Sequence, residues 1–306
     1  MKNLKIILFV AAFFATHIGS ITFAQEDLGP DCNTLSTGSD LPVGYMQCKT
    51  TPTSLIFTIY ELSLCTAAAT PSNQVVGATN PCTKLHYDVN GEAIDLSAGG
   101  TSIQLGSDVS LIEGTYTHAL LKMDTEFLMT TKLEFAASRT ANNSTSGAFC
   151  YSNGSDIDLY PTSNTSHITC GNSFPTTVEP SNSGLHFLGE EAVDFDMNQE
   201  IGYRTTLGGV TSVTDLYILD SDGTQSSGDL TYAGSTPNLI PVLSDASDRK
   251  YIMASQMLTT PVKITPNTTN VELSILVTDA SGLHFASNGN IVENGFNGLI
   301  IQISAN

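Results

Sequence analysis

Short runs of β-branched and aromatic residues, bounded by turn residues, recur along the whole chain. Three of them fill residues 54–60, 115–121 and 213–219, and runs of this kind predict β-strands. No stretch shows a convincing helical period of apolar residues. The pattern therefore predicts an all-β fold made of antiparallel β-sandwiches. Further strands are predicted at residues 84–89, 127–135, 192–197, 251–258, 271–277 and 299–303.

Residues 119–137 come nearest to a helix, because they contain many helix-forming side chains. Thr125, Thr130 and Thr131 interrupt them, and residues 132–135 alternate between charged and apolar side chains. Alternation with a period of two is typical of strands. We predict two strands of a hairpin in this segment.

The chain of 306 residues is long enough for one large sandwich or for two smaller ones. Residues 138–147 are the most linker-like segment, although a long loop within one sandwich fits them equally. We expect two β-modules, an N-terminal disulfide-containing module at residues 25–140 and a C-terminal module at residues 141–306.

The N-terminus has the layout of a signal peptide. Lys2 and Lys5 precede an apolar run at residues 6–15, and a more polar stretch ends at Ala24. We predict a cleaved signal peptide at residues 1–24, and hence a secreted or cell-surface protein exported by a Sec-type pathway. No membrane span is expected in the mature chain, because no later stretch has the roughly 18 to 20 apolar residues of a spanning helix.

The charge balance is strongly acidic. The chain has 30 Asp and Glu against 11 Lys and Arg, a formal net charge of −19, which becomes −21 when Lys2 and Lys5 leave with the signal peptide. This balance argues against nucleic acids and anionic membranes as partners, because phosphates attract basic patches. The hydrophobic fraction of 41% is nevertheless ample for a packed core.

All six cysteines lie in the mature chain, and an even number in an exported protein favours disulfides. No two cysteines have the two-residue spacing of a zinc ribbon or a thioredoxin-like site. Proximity in the sequence suggests three local bridges among the many possible connectivities. The predicted pairs are Cys32 with Cys48, Cys65 with Cys82, and Cys150 with Cys170.

One pentapeptide occurs twice, since Ser-Gly-Leu-His-Phe fills residues 183–187 and again residues 281–285. A functional interpretation is a pair of hairpins that each present a histidine to a shared partner or metal. We favour a simpler interpretation, a Ser-Gly turn followed by the start of a strand, because the flanking residues do not align.

Asp220, Asp222 and Asp229 form the best candidate for an oxygen-ligand loop. The carboxylates of Asp220 and Asp222 alternate at a turn, as Ca²⁺ ligands do. An EF-hand loop would have an acidic residue two positions earlier, where this chain has Ile218. A β-turn at the Asp-Gly pair is the simpler interpretation. Calcium is the one cofactor considered, and a second acidic cluster with the same alternatives comprises Glu190, Glu191, Asp194 and Asp196.

Recognisable catalytic motifs are missing from the sequence. There is no Gly-x-Ser-x-Gly nucleophile motif, and the histidines of the mature chain form no His-x-His or His-x-x-x-His pair. Thirty acidic residues offer too many candidate pairs to identify a glycosidase site. We therefore expect a protein that is not an enzyme.

Asn-x-Ser/Thr sequons arise freely in a chain rich in Asn, Ser and Thr, so no glycosylation is predicted from them. They begin at Asn142, Asn143, Asn153, Asn164 and Asn267.

The C-terminal segment at residues 298–304 is apolar and strand-like. A terminal strand either completes its own sandwich or adds to the open edge of a neighbour, as in donor-strand fibres. Our leading hypothesis is a secreted or cell-surface structural protein, a subunit of an extracellular fibre or appendage or an adhesin-like component. Its expected partners are copies of itself or other surface proteins. The alternative is a monomeric β-sandwich module that binds glycans or calcium.

Overall fold

A computed structural model describes residues 29–35, 47–74, 80–96, 112–155, 167–184, 199–225, 249–269, 271–286 and 289–305. These residues lie mostly in strands and include no α-helix, which confirms the predicted all-β class. Short 3-10 turns occur at Cys32–Thr34 and Pro71–Gln74. The strands are β1 Gln47–Thr50, β2 Ser54–Cys65, β3 Cys82–Asp95, β4 Gly114–Thr130, β5 Lys132–Thr140, β6 Ser146–Ser152, β7 Ile168–Gly171, β8 Ser181–Gly184, β9 Gln199–Leu207, β10 Val210–Asp220, β11 Arg249–Ile264, β12 Val271–Leu276, β13 Ser281–Phe285, β14 Ile291–Phe296 and β15 Ile300–Ala305.

A seven-stranded antiparallel sheet is the largest element of the fold. Six of its strands follow the order β3-β2-β4-β11-β10-β9, and β8 pairs with the end of β4. Alternate residues of β2, such as Leu55, Phe57 and Ile59, face the large hydrophobic core, as the period of a strand requires. A two-stranded sheet of β12 and β15 packs on the same core. The two sheets form a sandwich-like unit.

A smaller core lies between two three-stranded sheets, β1-β13-β14 and β5-β6-β7. Phe135 of β5 and Phe285 of β13 belong to this core. The almost fully buried Arg139 has its guanidinium carbon 4.6 Å from the Phe135 ring centroid and 5.7 Å from that of Phe285. Contact of a cation with two ring systems is favourable, particularly when it is desolvated.

Residues 138–147, the linker-like segment, contain the end of β5, a tight turn and the start of β6. The Ala141 N–H donates to the Thr145 carbonyl oxygen at 2.9 Å, and β5 and β6 pair in one sheet. The segment is therefore the turn of a β-hairpin formed by β5 and β6. Pairing of β4 with β11 also joins strands from both sides of the predicted division at residues 140 and 141.

The predicted hairpin at residues 119–137 is wrong in its pairing. β4 and β5 are two strands, as expected, but β4 lies between β2 and β11 whereas β5 pairs with β6. The chain crosses from the large sheet to a small sheet at Thr131. The Thr131 N–H donates to Ser152 Oγ at 3.3 Å, and its Oγ1 accepts from Asn294 Nδ2 at 2.8 Å. These bonds satisfy a buried polar residue, so the chain changes sheets without leaving the interior.

Three disulfides join the predicted local pairs, Cys32 with Cys48, Cys65 with Cys82, and Cys150 with Cys170. The last two bridges connect residues that are direct partners on neighbouring antiparallel strands. Disulfides persist in oxidising compartments, so the chain belongs to an extracellular or periplasmic environment. Within the described ranges, no helix has the length and apolar character needed to cross a membrane.

The exposure of the cysteines predicts the order in which the disulfides are reduced. Cys82 is half-buried, whereas both cysteines of the other two bridges are buried. A limiting amount of reductant should therefore open the Cys65–Cys82 bridge first, as mapped by alkylation and mass spectrometry of the native protein. Loss of this bridge should lower the free energy of unfolding by about 3 kcal/mol. Earlier opening of Cys150–Cys170 would contradict this prediction.

Candidate functional site

The last strand, β15, is the element that bears most directly on assembly. Among the described strands it pairs with β12 alone, in a ladder that runs from Val271 opposite Ala305 to Leu276 opposite Ile300. Ile300 is fully buried in the large core. The strand therefore completes the sandwich of its own chain, the first of the two fates considered for a terminal strand.

Gln256 holds β15 from the side of β11. Its side chain faces the large core and is almost fully buried. Its Nε2 donates to the Leu299 carbonyl oxygen at 2.9 Å, and the Ile301 N–H donates to its Oε1 at 2.6 Å. The same Nε2 donates to Thr214 Oγ1 at 3.2 Å, which fixes the amide from β10. One side-chain amide thus satisfies a backbone donor and a backbone acceptor that a neighbouring strand would otherwise satisfy.

Sequence reasoning did not single out Gln256, although a signal was present. Gln256 occupies the same face of its strand as Ile252, Ala254 and Leu258, all of which are buried in the large core. A polar residue at a core position of an apolar strand needs a buried partner. That partner is the backbone of the terminal strand.

A second cluster lies on the face of the large sheet opposite the large core. Glu61 is largely buried, and its Oε2 lies 3.0 Å from Lys84 Nζ while its Oε1 accepts from Ser63 Oγ at 2.8 Å. Lys122 is the ladder partner of Glu61, and its Nζ lies 3.9 Å from the Tyr251 ring centroid. We call this cluster the charged row, and its members are Tyr60, Glu61, Lys84, Lys122, Asp124 and Tyr251.

The groups of the charged row perturb one another. Burial lowers the pKa of Lys122, and Glu61 and Lys84 act on it in opposite directions, Glu61 raising it and Lys84 lowering it. Burial, together with the Asp124 carboxylate that accepts from Tyr60 Oη at 3.3 Å, raises the pKa of Tyr60 to about 12. Members of the charged row thus compensate the charges and satisfy the hydrogen bonds of one another. Its contacts hold β2, β3, β4 and β11 together on their outer face.

Edge strand β3 carries features that oppose pairing with a further strand. It bulges opposite Tyr60, at residues 88–91. Gly91 in this bulge has φ +78°, and a Cβ there would lie 2.4 Å from Thr58 Cγ2, so the position requires glycine. Bulges and charged side chains keep edges from pairing, and the charged side chains of β3 are Lys84, Asp88, Glu92 and Asp95.

Asp220 is the last residue of β10, Asp222 lies in the turn that follows it, and Asp229 lies outside the described residues. The Gly223 N–H donates to the Asp220 carbonyl oxygen at 2.9 Å, which confirms the β-turn interpretation. Asp222 Oδ1 accepts from the N–H and the Oγ1 of Thr224 at 2.9 and 2.7 Å, and these bonds lower the pKa of Asp222. Among the residues that the structure describes, no three His, Cys, Asp or Glu side chains group as a metal site. Calcium binding stays a prediction.

The described residues of the two pentapeptide copies lie in different sheets. The first two residues of the first copy end β8, which pairs with β4, and residues 185–187 lie outside the described residues. The second copy forms β13, where Leu283 and Phe285 are buried in the smaller core. Leu283 to Phe285 lie in a strand, as predicted, but Ser281 and Gly282 belong to the same strand, opposite Thr50 and Lys49, so the predicted Ser-Gly turn is wrong for this copy. A shared partner of the two histidines stays a prediction, and the acidic cluster at residues 190–196 also lies outside the described part of the chain.

Two sequon asparagines are engaged inside the protein. The Nδ2 atoms of Asn143 and Asn153 both donate to Thr169 Oγ1, at 3.3 and 3.2 Å. Asn267, by contrast, is exposed in the turn after β11. A glycan on either of the first two asparagines would disrupt the contacts that tie β7 to its neighbouring loops.

Comparisons of the chain with protein-family models, with curated proteins and with solved structures find no match.

Replacement of Gln256 by leucine should weaken the attachment of β15. The Leu299 carbonyl and the Ile301 N–H would lose their partner in the core, at about 1–3 kcal/mol for each unsatisfied group. We expect the free energy of unfolding in urea titrations to fall by about 2–5 kcal/mol. Gln302→Leu, at a half-buried position on β15 itself, is the matched control and should change it by less than about 1 kcal/mol. Equal losses in the two variants would contradict the role of Gln256.

Tyr60 should keep its proton at pH values where an ordinary tyrosine is ionised. Because its pKa is raised from 10.0 to about 12 in the folded state, its contribution to stability is present below about pH 10 and is lost as the pH rises towards 12. A tyrosine ¹³C NMR titration, assigned with Tyr60→Phe, measures this pKa. Asp124→Asn should lower it, because the carboxylate charge is removed. A midpoint near 10 in the folded wild-type protein would refute the assignment.

Proposed function

We propose that this chain is an exported structural protein of the cell surface or extracellular space, a subunit of a fibre or appendage or an adhesin-like component. The observation that carries the proposal is the way in which β15 is held. We call the groups that hold it, strand β12 and the side chain of Gln256, the seat of β15. Ile300 and Ile301 of β15 are buried, and among the described strands it is held by its ladder with β12 and by the side chain of Gln256. Exchange of a strand between identical subunits, or addition of a strand to the sheet edge of a neighbour, is a route to extracellular assembly.

The smaller core is built from segments that are far apart in the sequence, and this supports a structural role. The smaller core takes residues from near the N-terminus, from the middle of the chain and from near the C-terminus, such as Cys48, Cys150 and Phe285. Opening it therefore breaks contacts between segments far apart in the sequence. Two disulfides, Cys32–Cys48 and Cys150–Cys170, lie in this same core. Such a body unfolds slowly, which suits a component exposed outside the cell.

A monomeric glycan-binding module is the second candidate, favoured by an aromatic cluster on the small sheet β5-β6-β7. The Phe174 ring centroid lies 5.1 Å from that of Phe149 and 6.3 Å from that of Tyr151. All three side chains are half-buried. Partly exposed aromatic faces with a polar tip suit the apolar faces of sugar rings.

Negative-stain electron microscopy of the oxidised mature chain, residues 25–306, with and without millimolar calcium tests the proposal. We expect regular filaments or sheets. Dispersed compact particles under all conditions would contradict a self-assembling subunit. A glycan panel, with Phe174→Ala as the loss-of-binding variant, then tests the second candidate.

A further inference from the structure

We propose that copies of this chain join by exchange of β15, so that residues 299–305 of one copy occupy the seat beside β12 and Gln256 of the next. The partner is thus a second copy of this chain, and its point of attachment is the seat itself. This inference rests on the proposed self-assembling function and names its joint.

The seat makes contacts that do not depend on which chain supplies the strand. Its ladder sets Ile275 opposite Ile301 and Leu273 opposite Ile303, and Gln256 binds the backbone at residues 299 and 301. A second copy offers the same side chains and the same backbone groups in the same order. Exchange therefore replaces each contact by an identical one and costs mainly the entropy of association.

The connection between β14 and β15 is a suitable hinge. It consists of residues 297–299, which span roughly 10 Å when extended. We call the chain with β15 in its own seat the closed form. Gly298 has φ +107° in the closed form, and a Cβ there would lie 3.4 Å from both Cγ2 and Oγ1 of Thr205. Extension of this segment into a continuous strand removes the need for a positive φ. The closed form thus holds a backbone conformation that the exchanged form gives up.

Other features of the surface disfavour alternative joints. The bulge at residues 88–91 and the charged side chains of edge strand β3 oppose its pairing with a strand of another copy. The net charge of −19 opposes broad contact between the faces of two copies. Exchange of β15 needs little contact between the faces of two copies, because the exchanged strand binds inside the seat. Two copies that exchange strands reciprocally form a closed dimer, whereas serial exchange forms a filament.

A disulfide across the ladder tests the proposal. Ser274 and Gln302 are direct partners on β12 and β15, and both are half-buried. In the double variant Ser274→Cys/Gln302→Cys, an intrachain bond confirmed by peptide mapping locks β15 in its own seat. Each single cysteine variant is a matched control. Assembly is measured by electron microscopy and analytical ultracentrifugation.

The outcomes distinguish a failure of the strand-exchange proposal from a failure of the proposed self-assembly. If wild type and single variants assemble and the locked double variant stays monomeric, strand exchange is supported. If the locked variant assembles as wild type does, exchange is overturned while the self-assembling function stands. If wild type does not assemble, both are overturned.

Gly298→Ala is an independent test that leaves the cysteines unchanged. The positive φ is unfavourable for alanine in the closed form only, so the protein concentration needed for assembly should fall about tenfold, equivalent to about 1.4 kcal/mol. Gly209→Ala is the matched control, since Gly209 has φ +80° with no atom within 4 Å of an added Cβ and lies in the β9–β10 turn. It should destabilise the protein without promoting assembly. An unchanged or raised concentration for Gly298→Ala, or an equal fall in both variants, would overturn the hinge.

Discussion

Backbone groups that enter an apolar core need hydrogen-bond partners, and this constraint decides how the start of β15, where Ile300 and Ile301 are buried, is held. One edge of β15 has the ladder with β12. On the other side, Gln256 gives a donor to Leu299 and an acceptor to Ile301. Without it, the end of the chain would bring unsatisfied polar groups into the large core. The two-stranded sheet of β12 and β15 therefore depends on Gln256, a side chain of the seven-stranded sheet on which it packs.

A similar solution joins the two cores. Where β4 passes into β5, Thr131 is buried and hydrogen-bonded to Ser152 and Asn294. The Ser281 hydroxyl in turn donates to Asn294 Oδ1. These small polar side chains let strands leave one sheet and enter another without a solvent-exposed turn. The interleaving of distant segments, which supports the proposed structural role, depends on such buried polar contacts.

Local features of this fold could be predicted from the sequence, because local physics determines them. Residues 54–60 lie in β2 and residues 271–276 form β12, as the β-branched composition of these runs indicates. The three disulfides join cysteines close in sequence, and the Asp-Gly pair at Asp222 lies in a turn. Each of these depends on residues within about 20 positions of one another.

Long-range pairing could not be predicted in the same way. The strand pattern of residues 119–137 is the same whether β4 and β5 pair with each other or with distant strands, and the tertiary structure chooses the second. Gln256 meets residues 299 and 301, more than 40 positions away. The burial of polar residues in the charged row could not be predicted either, because polar side chains on a strand are usually solvent-exposed. Glu61 is buried because Lys84 and Ser63 bind it.

The central claim is that β15 is a separable element, held by its seat but able to leave it while the rest of the protein stays folded. Native-state hydrogen exchange measures this directly, through the Ile301 amide and the other amides of β15. The account predicts that these amides exchange together through an opening whose free energy lies well below that of the amides in the central strand β4. The same opening free energy for β15 and β4 would mean that the strand leaves only when the whole protein unfolds, which would contradict the account.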